Sequence, residues 1–109
     1  MKITWAFVVL LGVIPVTQAA DGLPPGAIKR GTLANAKLIQ DAKTGVASKV
    51  ATLGCTSWGD VDTYVLAMPS GVAGKQTWKE LWIVSGCNKK YPVTIEFAQD
   101  GPDADWTIR

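Results

Sequence analysis

The chain has 109 residues, 48% of them hydrophobic and 18% charged, with 11 basic against 9 acidic side chains, two cysteines and no histidine. That size and balance describe one small folded domain and exclude a disordered tail, while a net charge of +2 excludes a nucleic-acid partner and a polybasic membrane anchor. Without an imidazole there is no histidine-centred triad and no histidine zinc site, so composition already points away from an enzyme.

Met1 and Lys2 make a short positive start, residues 3–14 are mostly apolar, Pro15 breaks the run, and Val16-Thr17-Gln18-Ala19-Ala20 offers small residues for cleavage. This is the pattern of a secretory signal peptide over residues 1–20. The apolar run falls short of the about 20 residues that cross a bilayer, and an uncleaved anchor is the competing reading. After removal of the signal no membrane span is expected, and the expected location is periplasmic or secreted in a bacterium. Residues 21–31, with Pro24-Pro25, read as a linker, and residues 32–109 as a single α+β domain.

From Thr32 the pattern turns helical. Leu33, Ala36, Ile39 and Ala42 recur every three residues, Leu38 widens the stripe, Thr32 is placed as N-cap and Gly45 as the stop. Beyond Gly45 the helical period gives way to β-branched and aromatic runs between turn clusters, which predicts strands over residues 49–55, 61–68, 77–87, 91–98 and 105–109. Short connections make neighbours antiparallel, so the expected architecture is a four- to five-stranded antiparallel meander with one N-terminal helix. In an exported protein Cys55 and Cys87 have only each other to oxidise, which predicts one disulfide.

Taking Asn88-Lys89-Lys90 as a three-residue hairpin loop sets Ser85 against Val93, Ile83 against Ile95 and Leu81 against Phe97, and makes that side the core. Pairing Ala98 with Asp105 extends the same side to Trp106 and Ile108. By alternation the other face then collects Trp78, Glu80 and Trp82 with Glu96, two indoles and two carboxylates on one expected binding surface. The competing reading of the tryptophans is that they shield an edge of the sheet.

Other constellations are weaker. Glu80 with Glu96 resembles a glycosidase pair but would lie on a shallow sheet. Asp100, Asp103 and Asp105 lack calcium-loop spacing, no phosphate-binding glycine loop appears, and the serines lack a histidine, so no catalytic residue, metal or cofactor is expected. The stretch Trp78-Lys79-Glu80-Leu81-Trp82-Ile83-Val84-Ser85-Gly86-Cys87, followed by Tyr91-Pro92-Val93-Thr94-Ile95-Glu96-Phe97, resembles small exported proteobacterial proteins with a W-x-E-x-W-x-V-x-x-C segment. That resemblance implies secretion and a compact β-rich domain, and no activity. The expected function is a non-enzymatic binding module recognising an envelope protein or glycan through Trp78, Glu80, Trp82 and Glu96. The alternative is an inhibitor or immunity protein acting on a cell-wall hydrolase or toxin through the loops at residues 69–76 and 100–103.

Overall fold

The computed structural model describes residues 22–109, and the expected signal peptide at residues 1–20 lies outside them. The architecture is α+β: strand β1 (Lys29–Arg30), helix α1 (Ala36–Thr52), then strands β2 (Trp58–Ser70), β3 (Thr77–Gly86), β4 (Lys89–Asp100) and β5 (Asp103–Ile108). The five strands form one antiparallel sheet in the order β1-β2-β3-β4-β5. Among the described residues no helix is long and apolar enough to cross a membrane. The stretch expected to be linker contributes to the sheet: Lys29 lies opposite Val65 and Arg30 opposite Tyr64, with Ile28 N–H donating to the Val65 carbonyl and Gly31 N–H to that of Thr63.

Both expected helix ends are corrected. The N-cap is Asn35, whose Oδ1 accepts from Leu38 N–H at 2.8 Å, while the Thr32 hydroxyl accepts from Ala34 N–H in the approach to the helix. Gly45 does not stop the helix. It is a notch for Trp106, since a Cβ there would overlap the indole ring, and the packed ring offsets the about 1 kcal/mol that a mid-helix glycine costs. The helix ends seven residues further on, at Thr52. Gly54, at φ +103°, lets its own N–H reach the Ala51 carbonyl and Cys55 N–H reach that of Val50, a Schellman closure. The strand expected at residues 49–55 is therefore the last turn of this helix and its cap. That closure also delivers Cys55, fully buried, to Cys87, and the two form the expected disulfide.

Leu38, Ala42, Val46 and Val50 recur every fourth residue and are the buried stripe of α1. They lie on one face of the sheet, against Trp78, Trp82 and Val84 of β3 and Tyr91, Val93, Ile95 and Phe97 of β4, with Trp106 and Ile108 of β5 at the border. Trp78 stacks on Phe97 at 5.1 Å between centroids, and Trp82 tilts against it at 6.3 Å.

The β4–β5 register is the expected one, with Ala98 opposite Asp105, Phe97 opposite Trp106 and Ile95 opposite Ile108. The β3–β4 register is not. Gly86 pairs with Lys89, so the connection is the two residues Cys87 and Asn88, at φ 51° and 60°. Positive φ at both central positions is the type I′ geometry whose twist suits a hairpin. Trp82 therefore faces Val93, Glu80 faces Ile95 and Trp78 faces Phe97. An odd slip in register exchanges the two faces of a strand. Trp78, Glu80 and Trp82 thus turn inward, while Leu81 and Ile83, expected in the core, lie half-buried on the side away from the helix.

Candidate functional site

Residues i, i+2 and i+4 of a strand share a face, so Trp78, Glu80 and Trp82 project together toward α1. Glu80 has no exposed surface. Trp82 Nε1–H donates to its Oε1 at 2.8 Å, and Trp78 Nε1–H and the backbone N–H of Leu33 both donate to its Oε2 at 2.9 Å. A buried carboxylate is costly unless its oxygens are bonded, and three converging N–H groups supply that compensation. The same bonds give both buried indoles an acceptor. Through Leu33 they also fasten the segment that leads into the Asn35 cap. The three side chains form an internal clamp between sheet and helix.

Glu96, the fourth member of the expected surface, lies on the opposite face, so the four residues do not share one surface. It pairs with Arg109 at 2.6 Å and Lys79 at 4.0 Å. The hydrogen bond from Arg109 holds the Glu96 carboxyl below the usual carboxylate range, with burial pushing the other way. The pair therefore contributes at ordinary pH and is lost as acid takes the solution through the lowered value. With Glu80 and Glu96 separated by the sheet, the two carboxylates cannot flank one glycosidic bond. Beside the Lys79–Glu96 pair is a groove of about 230 Å³, smaller than the pockets that usually hold a drug-sized molecule. Among the described residues no group of three or more His, Cys, Asp or Glu side chains is placed to hold a metal ion.

The loops singled out beside that surface are brought together. In an up-and-down meander the β2–β3 and β4–β5 connections lie at the same end of the sheet, and here they are bonded to each other. Gly101 N–H donates to the Gly74 carbonyl at 2.9 Å, Gln99 N–H to the Gln76 carbonyl at 2.8 Å, and Gln76 N–H to Gln99 Oε1 at 3.1 Å. Within the first loop Lys75 N–H donates to the Val72 carbonyl, and Gly71 and Gly74, at φ +110° and +84°, supply the positive-φ turns. The result is one continuous edge carrying Val72, which is 71% exposed, and Lys75, with Asp100 and Asp103 exposed on either side of the second tip. The strand alternation alone predicts that the tips are neighbours. Of their cross-links, the one made by a side chain uses Gln99 Oε1, which no sequence pattern singled out.

Set against family models, curated proteins and solved structures, the chain matches none.

Proposed function

We propose that the protein is an exported, non-enzymatic binding module that presents the joined tips at residues 71–76 and 101–102 to a cleft in a partner protein. The observation that carries this reading is the backbone bond between the tips, Gly101 N–H to Gly74 O, reached by the β3–β4 ladder continuing through Gln99 N–H to Gln76 O. It holds two loops as one edge before any partner arrives, which lowers the ordering cost of binding. A protein partner is favoured over a glycan because the joined tips carry no aromatic side chain on which a sugar could stack. Export is supported by the leader pattern at residues 1–20 and by a disulfide, which suits an oxidising compartment.

In this reading Val72 is the apolar anchor and Asp100 and Asp103 set the polarity of the cleft, as expected of an inhibitor of a cell-wall hydrolase or toxin. The test is the rate of a panel of purified cell-wall hydrolases with excess protein. At least one is inhibited, and Val72→Asp weakens that inhibition by about tenfold or more, the value of withdrawing one valine from an apolar pocket, with the melting temperature unchanged. Unchanged rates across the panel, or a Val72→Asp variant as potent as the parent, would contradict the proposal.

A further inference from the structure

The two edges of the sheet are built differently. On the β2 side β1 covers part of the strand, the β2–β3 register is interrupted three times by bulges or irregularities, and Pro69 removes a donor. These are the devices that keep a strand edge from pairing with another chain. The β5 side has none of them. β5 pairs with β4 without a break from Asp103 to Ile108, contains no proline, and has no strand beyond it among the described residues. Arg109 N–H donates to Thr94 O, so residues 109, 107, 105 and 103 direct their backbone groups toward β4. Ala104, Trp106 and Ile108 consequently direct theirs outward.

The charges along this edge are self-complementary. Asp103 and Asp105 lie at one end and Arg109 at the other, all exposed; Asp103 is also within electrostatic reach of Lys37 on the helix, and Arg109 also pairs with Glu96 of its own chain. We propose that this edge pairs antiparallel with the β5 of a second copy of the chain, about a two-fold axis at Trp106, joining two sheets into one. In that register Asp103 faces Arg109 of the second copy, Asp105 faces its Thr107, and Ala104 faces its Ile108. The outward backbone groups of Ala104, Trp106 and Ile108 all find partners. Sliding by two residues one way sets Asp105 against its own copy. Sliding the other way moves the two-fold axis to Thr107 and takes Asp103 away from Arg109. On the helix face, open grooves of about 640 and 720 Å³ lie between α1 and β5 on either side of Trp106. They leave room beside the helix for side chains from the second copy.

The β5 edge shares Asp103 with the tip edge, but mass in the absence of any partner is independent of what the tip edge binds. Sedimentation of the purified protein tests it. The mass doubles as concentration rises from about 1 µM to about 500 µM, while in a Glu96→Gln background, which releases Arg109 from its own-chain carboxylate, Asp103→Arg or Arg109→Asp alone raises the dissociation constant about tenfold and the double variant recovers most of that loss. Circular dichroism checks that each variant is folded. A parent that stays monomeric throughout, a dimer indifferent to both single changes, or a double variant no better than the singles would overturn the proposal.

Discussion

Glu80→Gln lowers the melting temperature by about 12–24 °C, corresponding to about 3 kcal/mol in a domain of this size. The carboxylate accepts from two indoles and one backbone amide while fully buried. Glutamine keeps one acceptor oxygen and puts an amide N–H₂ where the other stood, so that donor meets donor with no water to relieve it. The side chain keeps its size, so packing loss contributes little and the change reads the hydrogen bonds. Comparing thermal melts of the two proteins measures it. A midpoint within about 3 °C of the parent would mean that Glu80 is solvated and the clamp absent.

Replacing Cys55 and Cys87 together with alanine costs about 3.5–4 kcal/mol, because the bridge closes a loop with a sequence separation of 32. The bridge also constrains the hairpin turn, where Cys87 and Asn88 both hold positive φ without being glycine. A small domain has little stability in reserve, so urea denaturation shows a midpoint about 3.5–4 M lower, given a slope near 1 kcal/mol per M. Retention of the parent midpoint would show that the helix and sheet hold together without the link.

The β4–β5 half of the sheet is legible because Asp100-Gly101-Pro102-Asp103 carries its own turn chemistry: Gly101 takes φ +64° and Pro102 cannot extend the strand. The β3–β4 turn has no such marker. Asn88-Lys89-Lys90 is a polar triplet that reads as loop, whereas the chain turns on a half-cystine and Asn88, and Lys89 and Lys90 already belong to β4. That displacement is what turned an expected surface of Trp78, Glu80 and Trp82 into the inside of the molecule. A carboxylate between two tryptophans reads as surface on charge alone. The clue to the contrary is that the side chains at positions two before and two after Glu80 are both N–H donors on its own face.

The helix shows the same limit. Gly45 and Gly54 look alike as stop signals, and only the Trp106 ring packed against one and the positive φ of the other tell them apart. Trp106 is 61 positions from Gly45 in sequence, so that distinction belongs to tertiary packing. The joined tips were half legible: strand alternation puts the two connections at one end, but the bond between Gly74 and Gly101 depends on how far each loop reaches.

Hydrogen exchange of the indole N–H protons, followed by NMR, addresses the inward-facing clamp most directly. Trp78 and Trp82 indole protons exchange at least about 1,000-fold more slowly than a free indole, because each is bonded to Glu80 and opens only when helix and sheet separate. Exchange of both at the rate of an exposed indole would return these side chains to the surface and contradict the account.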